Sequence, residues 1–153
     1  MPEKKTVKKA KRALRKGKSP STAAGEFVRE EIHHVREGKH GARSTKQAIA
    51  IGLSKARRAG VPLEPPARGT AKKKTRKAAE RDLKAGKRKR RKVSKKRSRA
   101  SKRALKREGR RAASKKALSR HAKRTSEQRR RTRARNAAKK KSNSRKKSQR
   151  RAA

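Results

Sequence analysis

The residues best suited to chemistry are histidines and glutamates grouped in one short stretch. His33 and His34 lie beside Glu30, Glu31 and Glu37. On a helix, Glu30 and His34 lie four residues apart, and so do His33 and Glu37, so the spacing permits metal ligation. Surface histidines paired with carboxylates explain the same spacing, and we adopt that interpretation. The sequence therefore predicts no metal site and no cofactor.

A glycine-flanked turn follows this stretch and contains a third histidine. We interpret His40, in Gly38-Lys39-His40-Gly41, as a phosphate contact and not as a metal ligand. The turn resembles the G-x-x-G loop with which KH domains clamp a nucleic-acid backbone. The strands of a KH domain are missing from the surrounding sequence, so the motif by itself does not predict that fold.

No set of residues predicts catalysis. The chain has no cysteine and only ten acidic residues, and it lacks a glycine-rich loop of the kind that cradles phosphates in nucleotide-binding enzymes. An active site needs a nucleophile or an acid/base pair in a cleft that excludes water. We therefore predict that the protein is not an enzyme.

Positive charge is the chemistry that the sequence does supply. The 153 residues include 59 Lys and Arg against ten acids, a formal net charge of +49. Such a surplus predicts a polyanionic partner, and nucleic acid is the abundant one inside cells. The single aromatic residue, Phe27, argues against the aromatic stacking platforms that bind single strands. We predict double-stranded DNA as the partner, with RNA as an alternative.

The predicted nucleic-acid contacts lie in the densest basic runs and on the second predicted helix. They are Lys87, Arg88, Lys89, Arg90, Arg91, Lys92, Lys95, Lys96, Arg97, Arg129, Arg130, Arg131, Lys139, Lys140, Lys141, Arg43, Lys46, Arg57 and Arg58.

The cations divide the chain into three segments. Residues 1–18 carry nine Lys/Arg and one acid, residues 19–66 carry eight and five, and residues 67–153 carry 42 and four. This distribution predicts a basic N-terminal arm or short helix, a nearly balanced domain and a long basic tail. In the arm, Val7, Ala10 and Leu14 form a thin apolar stripe before Gly17.

The balanced segment predicts an all-α fold built on a helical hairpin. Its first helix starts at Ser19-Pro20, where serine suits the N-cap and proline the first helical position, and it ends at Gly38. Ser44 and Gln47 read as a capping box for the second helix, which Gly60 ends.

The apolar residues of the hairpin predict where its helices meet. Phe27, Val28, Ile32 and Val35 follow a helical period on the first helix. Ile49, Leu53 and Ala56 do so on the second. The alternation over residues 48–51 could also suit a strand, but the cap signals favour a helix. Val61 and Leu63 lie in a proline-rich boundary and are expected to fold back over the hairpin.

The tail is low in complexity and poor in apolar residues. Leu83, Val93, Leu105 and Leu118 are its only large apolar side chains. Like charges four residues apart repel on a helix, so we expect a tail that is disordered in water or helical on binding. Helical stretches are expected to break near Gly86 and Gly109.

Two resemblances add to these predictions. Gly25–Glu31 and Gly38–Ser54 resemble a family of small bacterial proteins of unknown function over roughly residues 19–66, which implies a bacterial source and no known activity. The Ser/Thr-Lys-Gln-Ala-Ile-Ala-Ile run of that family falls on Ser44–Ile51. The tail is similar in composition to bacterial histone-like proteins and linker-histone tails, but the winged-helix domain of linker histones is missing.

Together these features predict a histone-like, nucleoid-associated protein of the cytoplasm that binds and condenses DNA without sequence specificity. Residues 19–66 would form a homodimer or bind another protein. The alternatives are an RNA-binding or ribosome-associated factor and a coat on polyphosphate or storage granules. The longest run free of polar side chains, Ala48–Leu53, is far below the roughly 20 residues of a membrane span, so we expect no membrane partner.

Overall fold

The computed structural model describes residues 2–87 and 94–152, with side chains up to residue 138 and at residue 142. Within this part of the chain all regular structure is helical, so the predicted all-α class is confirmed. None of the described helices is long and apolar enough to cross a bilayer. The helices are α1 (Lys4–Arg15), α2 (Pro20–Arg36), α3 (Thr45–Arg58), α4 (Lys73–Lys87), α5 (Lys95–Arg107) and α6 (Lys115–Ala152), with a 3₁₀ turn at Arg111–Ala113.

Helix α2 begins and ends at the predicted signals. The Ser19 side chain accepts a hydrogen bond from the Thr22 backbone N–H at 3.3 Å, and Pro20 is the first helical residue. At the other end Gly38 has a φ of 76°, a left-handed conformation that glycine adopts without steric cost. The sequence alone therefore located both ends of this helix.

Helix α3 confirms the helical interpretation of the alternating residues 48–51. The Ser44 hydroxyl accepts from the Gln47 N–H at 3.2 Å, and the Gln47 side chain accepts from the Arg43 N–H at 2.9 Å. The first bond satisfies a donor of the first turn of the helix, and the second ties the residue before the cap to the same turn. The helix ends before Gly60, which has a φ of 93°.

The face on which α3 meets α2 differs from the predicted stripe. Three small residues of α3, Ala48, Gly52 and Ala56, are buried, whereas the larger apolar residues Ile49 and Leu53 are only half-buried. A Cβ on Gly52 would lie 2.7 Å from the Cα of Val28. Small side chains let the two backbones approach closely, and the larger apolar residues pack beside this contact.

Helix α1 completes the core, as the apolar stripe of the arm predicted. Ala10 is buried against a cluster that includes Phe27, while Val7 and Leu14 pack around it. Val61 folds back into the same cluster and is 3% exposed. The arm is therefore a helix that buries its apolar stripe.

The compact unit extends to Ser114, well beyond the hairpin. Helix α4 packs on α3, where Asp82 is buried and accepts hydrogen bonds from Ser54 and Arg58. Ala113 of the 3₁₀ turn is buried beside Val35 in a second apolar cluster.

The number of helices exceeds the predicted hairpin of two or three, and the segment predicted as a tail that is disordered, or helical on binding, contains three of them, α4, α5 and α6. Six helices form in the described residues, because the tail segment contains good helix formers and a few side chains that dock. Helix α5 ends at Arg107, close to the predicted break at Gly109, whereas α4 continues through Gly86 to Lys87, the last residue described before a gap at residues 88–93.

Helix α6 belongs to a second unit that starts at Lys115. It has 38 residues, of which 18 are Lys or Arg and one is an acid, Glu127. Among its described side chains none is buried. The Arg131 guanidinium lies 2.9 Å from Glu127 one turn earlier.

Candidate nucleic-acid interface

Helix α1 presents a cationic face opposite its packed face. The apolar residues and Thr6 point into the core, and every Lys and Arg on the helix is exposed. This arrangement follows from the 3.6-residue period, which places residues three and four apart on one side. The exposed cations are Lys4, Lys5, Lys8, Lys9, Lys11, Arg12 and Arg15.

None of these α1 cations was among the predicted contacts. Their signal was present in the sequence as the thin apolar stripe, because an amphipathic helix must direct its remaining residues to solvent. The prediction selected the densest basic runs. It therefore missed the more widely spaced cations of α1, which the packing of this helix holds on one exposed face.

The predicted contacts around α3 fall into two groups. Arg43 and Lys46 are exposed. Arg58 is also largely exposed, but its guanidinium lies 2.7 Å from the Asp82 carboxylate. Lys55, another cation of α3, is paired with Glu31.

Arg57 lies inside the compact unit, not on the surface. It is 7% exposed and donates to the backbone carbonyls of Leu63, at 3.0 Å, and Glu64, at 3.2 Å. Burial lowers the pKa of this guanidinium, and the nearby Asp82 carboxylate opposes that shift. Arg57 therefore holds the proline-rich boundary against α3, and its donors are not directed at solvent.

The predicted contacts of the basic runs are exposed wherever their side chains are described. Lys87 ends α4, and Lys95, Lys96 and Arg97 form the first turn of α5 behind the Ser94 cap. Arg129, Arg130 and Arg131 are exposed on α6. Arg88, Lys89, Arg90, Arg91 and Lys92 lie outside the described residues, as do the side chains of Lys139, Lys140 and Lys141.

The helix termini add an electrostatic cost to this arrangement. The first turns of α1, α4, α5 and α6 contain no acidic residue, and each begins with two lysines. Because the N-terminus of a helix carries a partial positive charge, cations there are unfavourable. An anion bound near these turns would relieve that repulsion.

The few acidic residues cannot neutralise the surface. Eight of the ten acids lie in ion pairs, and within the described residues those pairs engage only six Lys or Arg. A hydrogen bond from Lys39 lowers the pKa of Glu37, and the same bond raises the pKa of Lys39. The surplus of positive charge must therefore be balanced by small ions or by a polyanion.

The three histidines of the hairpin occupy different surroundings. His33 pairs with Glu37 at 2.9 Å, as the spacing predicted. His34 bonds to Glu3 of the arm at 3.0 Å, and not to Glu30. His40 faces inward, with its Nε2 atom 3.2 Å from the buried carboxylate of Glu31.

The turn with the G-x-x-G pattern is not an open clamp for a backbone. Gly41 is buried, and its N–H donates to the Leu105 carbonyl at 2.9 Å. The next residue, Ala42, donates to the Gly109 carbonyl at 3.0 Å. These donors hold the end of α5 and are not available to a phosphate.

The chain matches no known family model, no curated protein and no solved structure. Its function must therefore be inferred from its own residues. The features that bear on it are the exposed cations of α1, α5 and α6 and the small number of acids that could neutralise them.

Proposed function

We propose that the protein is a non-enzymatic, histone-like DNA-binding protein of the bacterial nucleoid that condenses duplex DNA by neutralising its phosphates. The observation that carries this proposal is the exposure of the cations. Across the described side chains of α1, α5 and α6, every Lys and Arg is exposed. Each cation that docks on a phosphate releases a condensed counterion, and this gain requires no defined contact geometry.

Helix α6 is the strongest single contributor in this account. Its 38 residues span roughly 57 Å at about 1.5 Å per residue, and they carry 18 Lys or Arg. Duplex DNA carries one negative charge per about 1.7 Å of axis, so a helix laid along it meets more phosphates than it has cations. Binding would also relieve the like-charge repulsion between residues four apart on this helix.

Condensation requires that one chain hold more than one stretch of DNA. The exposed cations of α1 belong to the first compact unit and those of α6 to the second. The 42 cations of residues 67–153 would neutralise about 20 base pairs if all were engaged. A protein with two such surfaces can bridge two duplexes.

Sequence specificity is expected to be weak. Base readout needs side chains that a rigid element aims into a groove, and flexible Lys and Arg on a surface helix aim at phosphates. Phe27, the single aromatic residue, is completely buried. The protein therefore offers no Phe, Tyr or Trp on which an unpaired base could stack, and this favours duplexes over single strands.

The proposal is tested by measuring affinity for duplex DNA and duplex RNA across a potassium chloride series. The chain is compared with a version ending at Ser114, the end of the first unit; cutting at residue 66 would also remove α4, which packs on α3. We expect the full chain to lose at least about a thousandfold in affinity between about 50 and 200 mM salt. The shortened chain should bind more weakly, with a shallower salt dependence.

A matched pair of variants separates charge from structure on α6. Replacing Arg129, Arg130 and Arg131 by glutamine should make the slope of log K against log salt shallower by up to about 3, because each cation docked on a phosphate contributes about 0.9. Replacing the exposed residues Ser126, Gln128 and Asn136 by alanine should leave the slope unchanged. A preference for duplex RNA, or equal slopes for the two variants, would refute the proposal.

A further inference from the structure

A buried carboxylate in the hairpin has one oxygen without a hydrogen-bond partner. Glu31 of α2 is completely buried. Its Oε2 atom accepts a hydrogen bond from the Lys55 ammonium of α3. Its Oε1 atom accepts no hydrogen bond within the described part of the chain. An unpaired oxygen of a buried carboxylate is costly, so its surroundings call for an explanation.

A ring nitrogen of His40 lies close to this oxygen but is poorly placed to donate to it. His40 Nε2 lies 3.2 Å from Glu31 Oε1, but the pair lacks the geometry of a hydrogen bond. The other ring nitrogen, Nδ1, lies 3.1 Å from the Gly41 carbonyl oxygen. Since a carbonyl only accepts, the hydrogen bond to Gly41 requires a proton on Nδ1, which leaves Nε2 as the ring nitrogen that can offer a lone pair to an ion.

A second histidine completes the group. His34 follows Glu31 by three residues, which places both on one side of α2. One ligand atom from each of Glu31, His34 and His40 lies within 4.8 Å of the other two. The two rings stand edge to face, with centroids 6.1 Å apart. Their side chains are 12% and 17% exposed, so the group is shielded but reachable by an ion.

We propose that Glu31, His34 and His40 form a binding site for a divalent transition-metal ion of the zinc class. Two imidazoles and one carboxylate are a common set of protein ligands for zinc, with water in the fourth position. Ligand atoms about 2.0–2.1 Å from a tetrahedral ion lie about 3.3 Å apart. The 3.2 Å between Glu31 Oε1 and His40 Nε2 fits this spacing, and the His34 ligand atom lies within 4.8 Å of both.

The groups behind the three ligands support the same assignment. Histidines that bind metals usually donate their other ring N–H to a carboxylate or a backbone carbonyl. His34 Nε2 lies 3.0 Å from the Glu3 carboxylate, and His40 Nδ1 bonds to the Gly41 carbonyl. The second oxygen of Glu31 is held by Lys55, which also lies 3.9 Å from Glu30.

Two carboxylates contact the ligand histidines directly. Glu3 bonds to His34, and Glu31 lies beside His40. The cations paired with these carboxylates are Lys55, on Glu31, and Lys39, 3.8 Å from Glu3.

An ion at this site would fix the turn that receives the end of α5. His40 immediately precedes Gly41, whose N–H bonds to Leu105 of α5. Joining His40 to α2 through the ion would hold this turn in position. The ion would in this way stabilise the docking of a basic segment on the hairpin, with water in the fourth position that the three protein ligands leave open.

The test is a calorimetric titration of the full chain with zinc chloride. The protein is first freed of metal with a chelator and is kept free of nucleic acid and phosphate. We expect one zinc ion per chain and a rise in melting temperature with zinc concentration, because the ion binds the folded state. His40→Ala should weaken binding at least tenfold and remove most of the rise. His33→Ala is the matched control, because His33 is an exposed residue of α2 that pairs with Glu37 and is not one of the three proposed ligands. This variant should bind zinc as tightly as the parent protein does.

A second variant and a spectroscopic probe keep the result decisive. If His40→Ala does not fold, as judged by helical circular dichroism, His34→Gln replaces it with the same expectation. Cobalt(II) substituted for zinc should give a visible absorption band that saturates at one equivalent in the parent and in His33→Ala only. Failure of the parent to bind zinc, equal losses in His33→Ala, or undiminished binding in a His34/His40 double variant would overturn the assignment.

Discussion

At the scale of single residues, the hairpin depends on a glycine where two backbones meet. The sequence placed Gly52 inside a helix, where glycine is normally unfavourable by about 1 kcal/mol relative to alanine. The structure gives the reason, because a Cβ at this position would lie 3.0 Å from the Val28 backbone nitrogen and 2.7 Å from its Cα. Close approach of helices depends on their relative position, so periodicity could not reveal this contact.

Gly52→Ala is expected to destabilise the protein in spite of the better helix propensity of alanine. The added methyl group must push α2 and α3 apart, and such overpacking costs about 1–3 kcal/mol. Urea denaturation followed by circular dichroism measures the change. Gly25→Ala is the control, since Gly25 lies in α2 with no atom within 4 Å of its added Cβ, and it should gain up to about 1 kcal/mol. Equal effects of the two variants would contradict the close approach.

A second residue-scale prediction concerns Glu3, which joins the start of α1 to α2. The hydrogen bond from His34 lowers the pKa of the Glu3 carboxyl, with the charges of His34 and Lys39 acting in the same direction. A carboxyl whose pKa is lowered by folding stabilises the fold at pH values above its unfolded pKa. That contribution disappears as the pH falls through its folded pKa.

Glu3→Gln should therefore lower the melting temperature at neutral pH, and the difference from the parent should shrink below the ordinary carboxyl pKa and vanish below the lowered pKa of Glu3. Thermal unfolding across pH 2–7 in metal-free buffer measures it. Glu26→Gln, which removes an exposed pair with Arg29 on α2, should have a smaller effect. A difference that persists unchanged at low pH would mean that the Glu3 charge does not stabilise the fold.

At the scale of elements, the sequence predicted the hairpin well and the segment after it poorly. The caps at Ser19 and Ser44 and the glycines at 38 and 60 are local signals, and local signals fix where α2 and α3 begin and end. The docking of α4 depends instead on Asp82 meeting Arg58 and Ser54, 24 and 28 residues away. A single acid in a basic run gives no indication of such a distant partner.

Asp82→Ala should release α4 from the compact unit. Asp82 accepts at 2.6 Å from Ser54 and at 2.8 Å from Arg58. Since Arg58 is largely exposed and can be solvated, we expect a cost of about 1–2 kcal/mol. Hydrogen exchange should speed up over residues 73–87 and change little in α2.

Glu80→Ala provides the control for this docking contact. Glu80 lies on the same helix, is about half exposed and makes one longer ion pair, 3.7 Å from Arg76. Its removal should leave the exchange of α4 almost unchanged. If both variants speed exchange equally, the docking of α4 depends on the number of its negative charges and not on the specific contacts of Asp82.

At the scale of the whole molecule, composition predicts that the partner is a polyanion, and the structure indicates which cations are exposed and unpaired enough to contact it. A net charge of +49 does not depend on the fold, so it could be read without coordinates. The sequence could not reveal that Arg57 is buried or that Lys55 pairs with Glu31, because both features depend on tertiary contacts. The exposed face of α1 could have been inferred from its apolar stripe.

The most direct test of DNA binding by phosphate neutralisation is the salt dependence of binding by the intact chain to two duplexes of unrelated sequence. Fluorescence anisotropy gives the binding constant at each potassium chloride concentration. We predict that log K falls linearly and steeply with log salt and that the lines for the two duplexes coincide. Binding that does not respond to salt, or that strongly prefers one sequence at every concentration, would contradict the account.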